Sequence, residues 1–255
     1  MQQHDDMIAT FLGIDLAWQS ERNPTGAVAL RESAGRLQLL EAAPPLPSLA
    51  AVYAFIERNE SRRTFVAVDG PLVIPNSTGQ RRCELELSRQ FGSRHASCHS
   101  SNSTLYPDAG SVRLANWLAS RGFEHAGSAS GDRLMLEVYP HAAYVALFEL
   151  PSIIRYKKGS AAEKVLGLRT VQHTLRELPW VYDAALDELL SVDPSTMRGR
   201  ARKSFEDSLD ALFCAYLAFH FSRYGMSACQ IFGNSADGYI INPTTALARL
   251  AVAAA

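Results

Sequence analysis

Two aspartates interrupt apolar segments that otherwise have the pattern of buried strands. Asp15 lies within the apolar run 11–18, and Asp69 follows a second apolar run at 65–68. Burying an unpaired carboxylate is costly, so each side chain is expected to be ion-paired, hydrogen-bonded or bound to a metal. Two simpler roles stay open at this point: Asp15 at a sheet edge beside an arginine, and Asp69 in an Asp-Gly-Pro turn.

A second pair of aspartates lies near the start of an apolar segment, 205–224, which is predicted to be a long helix. Asp207 and Asp210 are three residues apart, so they share one helix face with Cβ atoms ~5–6 Å apart. Capping is the alternative role, because the dipole and the free amides favour acids at a helix N-terminus. Capping accounts for one acid better than for a second one a turn further inside, beside Leu209 and Leu212.

The four aspartates form a set of oxygen ligands suited to phosphoryl-transfer chemistry. Two strand carboxylates and two helix carboxylates can hold two divalent ions ~3.5–4 Å apart, the arrangement used for in-line displacement at phosphorus. Oxygen-only ligands favour Mg²⁺ or Mn²⁺ over zinc. We predict as catalytic residues and metal ligands Asp15, Asp69, Asp207 and Asp210. Glu137 is a candidate additional ligand; its alternative is an ordinary role at a strand end.

The elements that position these acids follow the order β-β-β-α-β. The first three strands are joined by short turns and predict an antiparallel meander, and the helix that follows predicts a right-handed crossover to a parallel fourth strand. Residues 141–200 read as an interrupted helical insertion, and the tail predicts a small hairpin. The predicted strands are 10–18, 27–31, 37–42, 64–68 and 134–139, and the hairpin segments are 229–232 and 239–241.

Composition limits the class of protein. The 255 residues are 47% hydrophobic and 20% charged, which suits one globular domain over 1–255 with its insertion at about 141–200. A net charge of −1 and an isoelectric point near 6.7 argue against a protein that coats nucleic acid, though not against an enzyme. The four cysteines show no paired spacing, and neither a signal peptide nor a long apolar span is evident, so a cytoplasmic location is expected.

Five short motifs in order resemble one domain-of-unknown-function family, which is described as predicted ribonuclease-H-like nucleases. The resemblance implies an α/β fold with a mixed five-stranded sheet flanked by helices, and it implies that Asp15 and Asp69 lie on neighbouring strands and face one site. Nuclease activity within that family is itself an inference. The motifs are Gly-Ile-Asp-Leu-Ala-Trp (13–18), Val-Asp-Gly-Pro-Leu (68–72), Glu-Val-Tyr-Pro (137–140), Tyr-Lys-Lys-Gly (156–159) and Asp-Ser-Leu-Asp-Ala-Leu-Phe-Cys-Ala (207–215).

Basic side chains near these motifs are candidates for contacts with substrate phosphates. Arg81 and Lys157 rank first because they follow the family-like motifs, and Lys158 is a further candidate. Phosphate contacts position a nucleic acid without reading its sequence. Pairing with the acids, or exposure to solvent, is the alternative.

His95, Cys98 and His99, with Cys83 upstream, are candidates for a zinc site, although closed zinc sites more often show two pairs at fixed spacing. A general base is another role for the two histidines, and it suits a loop over the site.

These observations favour hydrolysis of a phosphodiester in DNA or RNA by two-metal catalysis. One alternative keeps the fold and changes the substrate to a nucleotide or another small phosphorylated molecule, although no Walker-type phosphate loop is present. The other alternative is a binding or scaffold protein that is not an enzyme. A basic cleft wide enough for a nucleic-acid strand would favour the nuclease, and a closed pocket would favour the enzyme for small phosphorylated molecules. An ion pair between Asp15 and an arginine would favour the binding or scaffold protein.

Overall fold

The computed structural model describes residues 8–17, 19, 23–33, 36–127, 130–178, 181–244 and 246, without the side chains of 181 and 182. Trp18, at the end of the first predicted strand, and the apolar tail 247–255 lie outside the described residues. The strands are β1 Ala9–Asp15, β2 Gly26–Ser33, β3 Arg36–Ala42, β4 Arg63–Asp69, β5 Glu124–His125, β6 Arg133–Val138, β7 Val181–Tyr182, β8 Cys229–Asn234 and β9 Gly238–Pro243. The helices are α1 Leu49–Asn59, α2 Arg82–Phe91, α3 Gly110–Ser120, α4 Pro140–Leu147, α5 Ala161–Arg176, α6 Ala184–Ser191 and α7 Gly199–Tyr224.

The strands form one mixed sheet in the order β7-β3-β2-β1-β4-β6-β9-β8, with β5 also paired to β6. The β1-β2-β3 meander is antiparallel, and β4 lies parallel to β1, as predicted. The expected five strands were too few, since the described chain has nine in this sheet. Two of the additional strands are only two residues long, too short for a periodic pattern, and the predicted hairpin joins the sheet through Val138 and Ile241.

The two faces of the sheet carry two separate hydrophobic clusters, because side chains alternate along each strand. Phe11, Phe65 and Leu136 face the cluster built around α7, whereas Leu12, Val66 and Met135 face the other cluster. Helices α4, α5 and α6 pack with α7 on the first face, and α1 and α3 cover the second. Helix α7 therefore lies over the centre of the sheet with apolar groups on nearly all sides.

Helix α7 begins six residues earlier than the sequence predicts, at Gly199 instead of Phe205. The additional turns contain mostly arginine, lysine and serine, so they carry no apolar periodicity that could reveal them. Asp207 and Asp210 consequently lie more than two turns inside the helix. Capping of the helix N-terminus does not account for either of them.

The segment predicted as a helical insertion contains α4, α5 and α6, and also β7, which pairs parallel with β3. The insertion is therefore mostly helical, and one short strand anchors it to the edge of the sheet. No helix in the described parts of the chain combines the length and apolar character needed to cross a bilayer.

Candidate functional site

Helix α7 lies unusually close to β1, and two glycine contacts explain how. Within β1, the ring of Phe11 contacts the ring of Phe219 on α7 edge-on, with ring centroids 5.2 Å apart. Two residues along the strand, a Cβ on Gly13 would lie 2.0 Å from the Ala211 carbonyl oxygen and 2.2 Å from the Ala215 amide nitrogen. Two strand residues span ~6.6–6.8 Å and four helix residues span ~6 Å. Every second residue of β1 therefore lies opposite every fourth residue of α7.

The next pair of facing positions on β1 and α7 brings the acids together. Asp15 follows Gly13 on the same face of β1, and Asp207 precedes Ala211 by one helical repeat. On the neighbouring strand, Gly26 pairs with Asp15, and a Cβ there would lie 2.4 Å from the Asp207 carbonyl oxygen. Any side chain at these glycines would push the helix away, so they place the helix aspartates against Asp15.

Asp69 joins the group through the parallel pairing of β1 and β4. The register places Asp69 opposite Asp15, and the alternation of side chains puts both on the α7 face. Both residues end their strands, where the carboxyl ends of an α/β sheet open into a crevice. The structure thus brings together the four predicted aspartates, hereafter the acid cluster: Asp15, Asp69, Asp207 and Asp210.

Burial and repulsion between carboxylates raise the pKa of Asp15, Asp69 and Asp207. Burial, followed by the negative charge of Asp210, raises the pKa of Asp15 well above its usual range, and Lys157 opposes this shift. Burial raises the pKa of Asp69 to about 7 despite the same lysine. Burial also raises the pKa of Asp207, against the effects of Lys203 and a hydrogen bond with Asp15. The cluster has more negative charge than its surroundings neutralise.

Both oxygens of Asp210 are engaged by consecutive residues of the insertion. The fully buried Tyr156 hydroxyl donates to Asp210 Oδ1 at 2.6 Å, and Lys157 Nζ lies 2.9 Å from Asp210 Oδ2. Burial lowers the pKa of Lys157, but the charges of Asp210, Asp15 and Asp69 more than offset this and raise it. Lys157 therefore keeps its charge inside the acid cluster.

The sequence did not single out Tyr156, although it belongs to the quoted Tyr-Lys-Lys-Gly motif. Its placement depends on α5, because a Cβ on Gly167 would lie 2.1 Å from the Arg155 carbonyl oxygen and 2.7 Å from Tyr156 Cα. The helix therefore packs directly against the backbone that carries Tyr156 and Lys157. A glycine inside a predicted helix was the available signal for this close approach.

A second lysine meets the cluster from α7 itself. Lys203 Nζ lies 2.5 Å from Asp207 Oδ1 and 2.7 Å from Glu206 Oε1, with its side chain 52% exposed. Each helix aspartate therefore has its own ammonium partner.

Glu137 and Arg81 lie apart from the acid cluster, in a second network of buried charges. Glu137 pairs in register with Val68, so it points to the opposite face of the sheet from Asp69. Arg81 donates to both Glu137 oxygens, at 2.9 and 2.5 Å, and to Glu84 Oε1 at 2.9 Å. The Leu72 amide donates to Glu137 as well, at 2.9 Å. We call Arg81, Glu84 and Glu137 the arginine network; its side chains are 2–3% exposed.

One cleft of about 580 Å³ is lined by Asp15 and Asp69 of the acid cluster and by all three residues of the arginine network. Exposed Lys158 lines it, together with Tyr139 and His141. Burial, with a contribution from Lys157, lowers the pKa of His141 to about 4, so its imidazole is neutral at neutral pH. His95 and His99 also border the cleft.

The described residues hold no ready-made set of three histidine, cysteine, aspartate or glutamate ligands for a metal ion. The zinc alternative around His95, Cys98 and His99 therefore gains no support. In the acid cluster, Lys157 is ion-paired with Asp210 and Lys203 with Asp207, while the carboxylates offer oxygen ligands.

Comparison with known proteins gives one family. A family model described as a protein of unknown function, DUF429, matches residues 13–230, a span that includes the whole acid cluster and Lys157. Neither curated proteins nor solved structures give a match. Because the matched span covers most of the sequence, this chain belongs to the DUF429 family.

Proposed function

We propose that this chain is a divalent-cation-dependent phosphodiester hydrolase that acts on nucleic acid. The observation that carries the proposal is the convergence of four aspartates, from two adjacent strand ends and one helix, beside a cleft of about 580 Å³. Elevated pKa values caused by burial and like charges are typical of functional sites. The ribonuclease-H-like resemblance of the sequence motifs is consistent with the same chemistry.

The chemistry of the ligands fits a hard cation, although their present arrangement is not a finished metal site. Four carboxylates offer only oxygen, which suits Mg²⁺ or Mn²⁺. Asp15 and Asp69 would hold the cation, with Asp207 as the nearest helix ligand. A cation bound there supplies the Lewis acidity that activates water and stabilises a leaving oxygen. Two ions, as the sequence predicts, would require the lysine contacts of the helix aspartates to open.

The residues of the chain provide the remaining functions. Lys157 offsets the charge of the carboxylates and lies where a substrate phosphate would approach them. Exposed Lys158 on the cleft wall can contact a neighbouring phosphate. The neutral imidazole of His141 can donate or accept a hydrogen bond toward a bound substrate. Arg81 does not serve as a free phosphate ligand in this geometry, because its guanidinium is bound to two glutamates.

The size of the cleft favours a second candidate. A volume of about 580 Å³ lies within the ~300–1,000 Å³ typical of small-molecule sites. Hydrolysis of a nucleotide or another small phosphorylated molecule by the same acids is therefore the alternative.

Hydrolysis assays distinguish the two candidates. The substrates are single-stranded, duplex and branched DNA, single-stranded RNA, nucleoside triphosphates and a bis-aryl phosphodiester, each with Mg²⁺, Mn²⁺ or EDTA. We expect cation-dependent cleavage of nucleic acid that Asp15→Asn abolishes. The matched control is Asp187→Asn, an exposed acid on α6, which keeps activity.

Cleavage of nucleoside triphosphates without cleavage of DNA or RNA would favour the small-molecule alternative over the nuclease. Absence of hydrolysis of every substrate with both cations would contradict the proposal.

A further inference from the structure

The ammonium of Lys157 is a fixed cation inside the acid cluster. Its nitrogen lies 2.9 Å from Asp210 Oδ2, and its charge also acts on Asp15 and Asp69. One third of the side chain remains exposed, on the side that lines the cleft. Lys157 therefore touches the acids from the direction that a substrate or a metal ion would take.

This position is built into the fold. Tyr156 binds the other oxygen of Asp210, so the two consecutive side chains grip one carboxylate. Lys157 Nζ also lies 5.5 Å from the centroid of the Tyr156 ring. Helix α5 supports the segment from behind through its close approach at Gly167. A lysine held by a buried tyrosine and a glycine contact is positioned far more firmly than an ordinary surface lysine.

The lysine contacts determine which carboxylates stay available. A two-ion site needs helix ligands for its second ion, yet Asp210 is held by Tyr156 and Lys157, and Asp207 by Lys203. The strand pair Asp15 and Asp69 has no such ammonium partner at ion-pair distance among the described residues. One divalent cation at the strand pair is therefore compatible with the fold as it stands.

We propose that Lys157 is a built-in cation that takes the place of the second metal ion, so that the site binds one divalent cation per chain. The inference rests on the proposed function and specifies its metal requirement. The ammonium would contribute charge to phosphate binding permanently, whereas a second ion would have to be acquired from solution. Its role is electrostatic and positional; it transfers no proton.

Manganese binding tests this inference without reference to activity. Calorimetry with Mn²⁺ is expected to give one ion per chain for the wild type, and electron paramagnetic resonance an isolated Mn²⁺ spectrum. Lys157→Met should bind two ions with the spectrum of a spin-coupled pair, since two ions ~3.5–4 Å apart interact magnetically. The first ion should also bind about tenfold more tightly once the neighbouring positive charge is removed. Lys164→Met on α5, outside the cleft lining, is the matched control and should behave as the wild type.

The outcomes separate this inference from the proposed function. Two ions in the wild type would overturn the inference and leave the proposed function standing. One ion of unchanged affinity in Lys157→Met would overturn it too, as would an uncoupled spectrum with two ions. No binding to any variant would overturn both. Two ions in the wild type would overturn the inference even if Lys157→Met fails to fold, and Lys157→Gln provides a second variant for the stoichiometry and the spectrum.

Discussion

The arginine network and the acid cluster border the same cleft, yet their charges are matched in different ways. In the network, every carboxylate oxygen of Glu84 and Glu137 accepts a hydrogen bond, from Arg81 or from the amides of Leu72 and Ser101. In the acid cluster, four carboxylates share two lysines, and burial and repulsion hold the pKa of Asp15 and Asp69 high. Both groups hold two carboxylates per cationic side chain, but Asp15 and Asp69 have no ion-pair partner among the described residues. A satisfied buried network stabilises one conformation, whereas buried carboxylates without an ion-pair partner are suited to binding a cation.

The largest expected effect comes from breaking the arginine network. Arg81→Leu leaves Glu84 and Glu137 buried without their partner, so the free energy of unfolding should fall by about 3–5 kcal/mol in denaturant titrations. Arg82→Leu is the matched control. The Arg82 side chain is 70% exposed, so its ion pair with Glu86 should contribute less than about 1 kcal/mol to the free energy of unfolding. Equal effects of the two changes would show that the network does not stabilise the fold.

A smaller loss is expected where the acid cluster is assembled. Gly13→Ala forces a methyl group into the backbone of α7, which should cost about 1–3 kcal/mol and displace Asp207 from Asp15. Unfolding titrations and Mn²⁺ calorimetry should therefore both change. Gly131→Ala, where a Cβ meets nothing within 4 Å, should leave both measurements unaltered. Normal manganese binding by Gly13→Ala would contradict the role of the close helix contact.

Removing a charge from the acid cluster should not destabilise the fold, in contrast to the two changes above. Asp15→Asn takes away one buried negative charge, and its amide can still donate to Asp207. Without divalent cations at pH 8, the free energy of unfolding should stay unchanged or rise by about 1 kcal/mol. A fall of more than about 2 kcal/mol in the free energy of unfolding would contradict this expectation. It would show that the Asp15 carboxylate stabilises the fold, as the carboxylates of the arginine network do.

The smallest expected effect is a pH dependence of the cation-free protein. The pKa of Asp69 is about 7 in the folded state and 3.8 ordinarily, so the folded state binds more protons between these values. Stability should therefore be highest below about pH 4 for this group and decline as pH rises through 7. Thermal scans should show a fall in Tm of roughly 2–4 °C, which is smaller in Asp69→Asn because the pKa of Asp15 stays raised there. Mg²⁺ should restore more of the lost Tm at pH 8 than at pH 5.5. A Tm of the wild type that does not respond to Mg²⁺ at pH 8 would contradict this link.

The sequence predicts part of this arrangement for identifiable reasons. Asp15 and Asp69 stand out because each places a charge in an apolar strand, and the β-β-β-α-β order predicts the parallel pairing that aligns them. The helix pair stands out by its spacing. Its true position inside α7 was missed, since the polar first turns of that helix carry no periodic signal.

The rest depends on contacts between distant segments. Arg81 was predicted to contact phosphates, and its burial follows from meeting Glu137, 56 residues away, across the end of the sheet. The grip of Tyr156 and Lys157 on Asp210 spans 54 residues for the tyrosine and requires α5 to pack at Gly167. A glycine inside a predicted helix indicates a close approach, but local patterns do not identify the partner in such pairings.

The most direct measurement compares one matched amide variant from each group of charges. Mn²⁺ titration calorimetry is made on the wild type, Asp15→Asn and Glu137→Gln, with folding checked by circular dichroism. We predict that Asp15→Asn abolishes binding, whereas Glu137→Gln is less stable but binds Mn²⁺ within about threefold of the wild-type affinity. Binding that persists in folded Asp15→Asn, or disappears in folded Glu137→Gln, would contradict the assignment of the cation site to the acid cluster.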